Sequence, residues 1–64
     1  MQPVYEIGEI VEIIDNVTGH EFAEGQHVRI VDVDSKGEVQ SAESLDGEDY
    51  WYIANEDIKK IEDQ

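Results

Sequence analysis

Cysteine is absent, proline occurs once, and only four side chains are basic. Without cysteine there is no disulfide and no thiolate-based zinc site. At 64 residues the chain has room for one small domain at most, since domains usually run to about 100 residues or more. No apolar run approaches the roughly 18 residues needed to span a bilayer. Met1-Gln2-Pro3-Val4-Tyr5-Glu6 lacks the basic start and apolar stretch of a secretory signal. The chain therefore reads as a complete, short, cytoplasmic frame. Leucine is nearly missing as well: there is one, against eight Ile and seven Val, with three Ala. Small helical bundles rely on Leu and Ala, whereas branching at Cβ suits a pleated, half-buried surface, so the composition is that of a β protein.

What is abundant is negative charge. Seventeen acidic residues against four basic ones give a formal net charge of −13. Such a surface repels phosphate and anionic lipid, which argues against direct binding to nucleic acid or to a membrane. It also repels itself, so disorder competes with folding. Two features favour folding. Ile, Val, Leu and Phe make up seventeen of the 64 residues, above the roughly one-fifth level below which a charged chain stays disordered. They also fall in short patterned runs between glycines.

Glu9 to Ile14 alternates as a strand, with Val11 and Ile13 on one face and Ile10, Glu12 and Ile14 on the other. Asp15 to Gly25 is a polar loop folded back on itself, carrying Phe22. His27 to Val33 is a second strand with Val28 and Ile30 inward. Asp34-Ser35-Lys36-Gly37 is a tight hairpin turn. Glu38 to Ser44 is a weaker strand in which only Val39 and Ala42 suit burial. After a turn at Asp46-Gly47-Glu48-Asp49, Tyr50-Trp51-Tyr52-Ile53 is the strongest strand signal, with Trp51 expected at the centre of the core. Asn55 is placed to cap a short helical turn that Glu56 and Asp57 favour. Ile58 and Ile61 then fit a helical turn or a last short strand. Gly8-Glu9-Ile10-Val11-Glu12-Ile13-Ile14-Asp15 echoes Gly25-Gln26-His27-Val28-Arg29-Ile30-Val31-Asp32. Two units are too few for a repeat architecture and read as two strands entered by the same turn.

In order and spacing, Gly8-Glu9-Ile10-Val11-Glu12-Ile13, Gly19-His20-Glu21-Phe22, Gly25-Gln26-His27-Val28-Arg29-Ile30, Tyr50-Trp51-Tyr52-Ile53 and Glu56-Asp57-Ile58 resemble the small SH3-like barrel proteins of bacteriophage genomes. The resemblance covers Tyr5 to Ile61. It implies one all-β domain over residues 1–64, ordered from about 5 to 61, built as a five-stranded SH3-like barrel with a short 3-10 or helical turn near the C-terminus. It carries no shared catalytic residues. Two relatives are a poor match: polyproline-binding SH3 domains have an aromatic-lined groove whose tyrosine-rich start is missing here, and nucleic-acid-binding SH3-like modules carry basic loops.

Three constellations bear on chemistry. Asp32, Asp34, Gly37 and Glu43 approach the spacing of a calcium loop, but Lys36 stands where an oxygen ligand belongs and the flanks are strands, so an acidic hairpin is the better reading. His20 and His27 with Glu21 and Glu24 offer imidazole and carboxylate, in no familiar zinc spacing. No nucleophile stands with a partnered base, and the chain is short for a walled pocket, so no enzyme, metal or cofactor is expected. The reading is an acidic module that binds a basic surface of a nucleic-acid-handling protein, as inhibitor or modulator, its carboxylates imitating phosphates. A monomer is favoured. The candidate partner-binding residues are Tyr50, Tyr52, Phe22, Glu21, Glu24, Glu48 and Asp49. The alternatives are an accessory module held by an aromatic patch of Tyr50 and Tyr52, joined by Tyr5 or Phe22, and a small-ligand or metal binder using the histidines. The bland account of the acidity is solubility.

Overall fold

The computed structural model describes residues 4–61, and these are all-β. Strands β1 (Ile10–Ile13), β2 (His27–Val33), β3 (Val39–Ser44), β4 (Tyr50–Tyr52) and β5 (Ile58–Lys60) form one antiparallel sheet in the order β4-β3-β2-β1-β5. A 3-10 turn, Asn55–Asp57, leads into β5, so the C-terminal segment is a helical turn and a strand in succession. The sheet is open: β4 and β5 are its two edges and do not pair, where a closed barrel is expected from the sequence. Register shifts along β2, between Ile30 and Asp32 and again before Val33, interrupt its pairing with β3 and bend the strand.

The sequence echo has a geometric cause. Val11 and Val28, equivalent in the two segments, stand opposite each other in the β1–β2 pair. Contacts on either side of them match two by two. Gly8 N donates to Ile30 O and Gly25 N to Ile13 O, both at 2.7 Å, while Ile13 N donates to Gln26 O and Ile30 N to Glu9 O, both at 2.9 Å. The turns before the strands match as well. Glu9 N donates to Glu6 O and Gln26 N to Ala23 O, both at 3.0 Å. Glu6 N donates to Glu9 Oε1 at 3.1 Å, and Ala23 N to Gln26 Oε1 at 3.0 Å. Glu and Gln interchange because only one acceptor oxygen is used, and both side chains have it. The two segments thus pair about a local twofold axis, and the correspondence extends upstream to Tyr5 and Phe22, both buried. The turns need glycine at a left-handed position: Gly25 has φ +89°, and a Cβ there would meet nothing within 4 Å. Gly25→Ala is therefore expected to lose about 1–2 kcal/mol through backbone strain alone. Urea unfolding reads the loss, and an unchanged midpoint would contradict the turn.

Val11, Ile13, Val28 and Ile30 form the innermost layer, with Tyr5, Phe22, Val39, Ala42, Ile53 and Ile58 around them. Trp51 is not the centre of this core. It is half-buried and packs against the rim, because β4 is an edge strand and one flank of its inward side chain faces water. On β3, Ser41 and Ser44 are buried beside Val39 and Ala42. Their hydroxyls are paired, which lets these short polar side chains be buried. Ser41 Oγ accepts from the Tyr50 hydroxyl at 3.0 Å, and Ser44 Oγ accepts from Glu48 N and Asp49 N.

Candidate protein-interaction site

The open flank of β4 brings together most of the exposed features singled out in the sequence. Trp51 lies opposite Ala42, between Ser41↔Tyr52 and Glu43↔Tyr50. Side chains alternate along a strand, so Trp51 faces the core and the two tyrosines face outward. Tyr50 is 53% and Tyr52 73% exposed, and their rings meet edge to face with centroids 6.1 Å apart. The Tyr50 hydroxyl is held by Ser41, so this ring is fixed although exposed. Glu48 and Asp49, both exposed, lead into the strand. Their turn is fixed by Asp46: its Oδ1 accepts from the Ser44 hydroxyl at 2.5 Å and from Glu48 N at 3.0 Å. Those two bonds, the Ser44 bond first, hold the Asp46 carboxyl below the usual range.

Phe22 does not belong to this surface. It is 6% exposed and forms part of the core, as does Tyr5, so the aromatic patch is confined to Tyr50 and Tyr52. Glu21 and Glu24 stand exposed on either side of Phe22 in the loop between β1 and β2. Among the described residues no hydrogen bond or ion pair joins them to β4.

What holds this loop against the end of β4 is Asp57, which the sequence places only at the start of a short helical turn. Its side chain is fully buried. Oδ1 accepts from Val17 N at 2.6 Å, and Oδ2 accepts from the Thr18 hydroxyl at 2.5 Å and from Ala54 N at 3.0 Å. Its backbone carbonyl accepts from Ile14 N at 2.7 Å. Burial pushes the Asp57 carboxyl up, the bonds from Thr18, Val17 and Ala54 oppose it, and the carboxyl stands below its usual range. Asn55 is not the cap of the 3-10 turn. It is the first residue of that turn, and its Oδ1 accepts from Val39 N at 2.8 Å, while the Asp57 carboxylate binds the N–H at the turn's start.

His20 is buried in the same network. Phe22 N donates to its Nδ1 at 3.1 Å, so Nδ1 is bare and Nε2 carries the proton that bonds Asp15 O at 2.7 Å. Neither ring nitrogen is left for a metal, and His27 is exposed on β2 opposite Glu12. The residues of the calcium-like spacing also have other partners. Asp34 Oδ1 accepts from Lys36 N and Glu38 N, both at 2.9 Å, and Glu43 binds Arg29. Among the described residues no cluster of three or more His, Asp or Glu side chains is arranged to hold a metal ion.

Three of the four basic side chains are engaged with glutamates. Arg29 Nη1 lies 2.8 Å from Glu43 Oε2, Lys60 Nζ 2.8 Å from Glu9 Oε2, and Lys59 Nζ 4.0 Å from Glu12 Oε1. Lys60 also lies 5.0 Å from the centre of the Tyr5 ring. Burial raises the Tyr5 phenol; Lys60 opposes this and Glu9 adds to it. The acids Glu6, Glu21, Glu24, Asp32, Glu38, Glu48, Asp49 and Glu56 remain exposed and form no ion pair among the described residues. No helix among the described residues is long and apolar enough to cross a membrane.

No known protein family, no curated protein and no solved structure matches this chain.

Proposed function

We infer that this protein is a non-enzymatic, acidic binding module whose partner is a basic surface on a nucleic-acid-handling protein, which it inhibits or modulates by presenting carboxylates where that surface receives phosphates. The observation that carries the reading is the distribution of charge. Arg29, Lys59 and Lys60 are opposed by glutamates on the sheet, which leaves the outlying carboxylates uncompensated on a framework held by backbone hydrogen bonds. Fixed charge of one sign accelerates encounter with a complementary surface and makes the complex sensitive to salt. Five antiparallel strands and a 3-10 turn before β5 support the reading of the domain as SH3-like, which in turn favours a binding role. A second reading, an accessory module held by its aromatic patch, draws on the exposure of Tyr50 and Tyr52.

The two readings separate by salt and by mutation. A pull-down from lysate is expected to retain a nucleic-acid-binding protein at low salt, lose it at high salt, and lose it to added DNA. A partner retained equally at high salt, but lost with Tyr50→Ala and Tyr52→Ala, would favour the aromatic reading. Added salt is meanwhile expected to raise the melting temperature of the free protein, because screening relieves its self-repulsion. With that rise observed, loss of the complex under salt does not come from unfolding of this protein.

A further inference from the structure

We propose that β4 is a strand-addition site, and that the partner contributes to it an extended segment bearing Lys or Arg. This rests on the acidic-binder reading and specifies its geometry. The edge is open in a specific sense. Ile53 N donates to Gln40 O at 3.1 Å and Ser44 N to Asp49 O at 2.8 Å, with the Trp51–Ala42 pair between them. Backbone groups alternate in an antiparallel ladder, so those of Trp51 turn toward β3 and those of Tyr50 and Tyr52 turn outward. The Thr18 hydroxyl approaches Tyr52 O at 3.4 Å, but it has one proton and the 2.5 Å bond to Asp57 takes it. The Tyr52 carbonyl thus has no strong partner among the described residues, and an added strand meets only the Thr18 side chain beside it.

The two edges of the sheet differ in how they are guarded. β5 carries Lys59 and Lys60, and lysine on an edge is a common defence against pairing. β4 carries no lysine and no proline, but two exposed tyrosines. An aromatic pair with one ring fixed through Ser41 is suited to grip the side chains of an added strand while the ladder holds its backbone.

Charge selects the occupant. Glu48 and Asp49 precede β4, and beyond its other end an open cleft of about 300 Å³ is lined in part by Glu38 and Glu56. A second copy of this chain would bring its own net charge of −13 against these acids. A segment with basic side chains meets carboxylates at both ends of the strand instead.

The test uses two capped peptides that alternate Lys and Val, one ordinary and one with every backbone nitrogen methylated. Both carry the same charge, and only the first can complete a ladder. In amide NMR titrations at low salt the ordinary peptide is expected to bind at least about tenfold more tightly, as two ladder bonds of roughly 1 kcal/mol each imply. It is also expected to slow hydrogen exchange at Tyr50 N and Tyr52 N. Equal affinity of the two peptides, without protection of those amides, would overturn strand addition and leave the acidic reading standing. Binding of neither would overturn both. Protection of the Tyr50 and Tyr52 amides that grows with the concentration of the free protein would assign the edge to a second copy and overturn the proposal.

Discussion

Asp57→Ala is expected to abolish cooperative folding at room temperature. The substitution leaves two backbone N–H groups, of Val17 and Ala54, and the Thr18 hydroxyl without their acceptor in part-buried surroundings. Each orphaned buried group costs about 1–3 kcal/mol. A domain of this length has about 3–10 kcal/mol in total, at the usual stability per residue. Loss of the sigmoidal urea transition, with collapsed amide dispersion, is the expected result; a transition like that of the parent would refute the anchoring role. Thr18→Val removes one of the three bonds and is expected to cost less. The same carboxylate sets an acid limit. Its folded-state pKa lies below its unfolded value of about 3.9, so its contribution is complete above that pH and is lost as pH falls through the folded-state value. Acid unfolding followed by circular dichroism should therefore begin only below about pH 4 as far as Asp57 is concerned.

Ile30→Ala is expected to come second, at about 2–5 kcal/mol, the usual cost of truncating a buried isoleucine. Ile30 is in the innermost layer, and its backbone joins Gly8 and Glu9 across the local twofold, so the walls of the cavity are tied by the ladder and yield little. Trp51→Phe, by contrast, is expected to cost about 1 kcal/mol, because it keeps an aromatic ring at a half-buried edge position. Urea unfolding of the two variants orders them directly. A larger loss for Trp51→Phe would place the centre of the core at β4 and contradict the structure.

The exposed part of the candidate site was legible from alternation. Once Trp51 faces inward, Tyr50 and Tyr52 must face outward, and the structure places them so. Phe22 was misplaced because a single aromatic in a polar loop has no periodicity to orient it. Only its equivalence to Tyr5 about the β1–β2 axis gives it an inward direction, and that equivalence lies upstream of the glycines where the echo is strongest. Asp57 was invisible for a related reason. One acid among seventeen carries no mark of burial, and two of its three donors lie about forty residues away, Val17 N and the Thr18 hydroxyl at separations of 40 and 39.

The sequence by itself determined the β class, the glycine turns, the inward faces of β1 and β2, and the excess of negative charge. These follow from local chemistry: branching at Cβ, two-residue alternation, the left-handed freedom of glycine, and a count of ionisable groups. The tertiary structure alone decided that the echoed segments pair with each other, that the sheet keeps two free edges, and that Asp57 is sealed beneath the long loop. Those outcomes depend on contacts between residues far apart in the chain. Whether a carboxylate is solvated or buried is set by which donors the fold brings to it, and no local pattern encodes that.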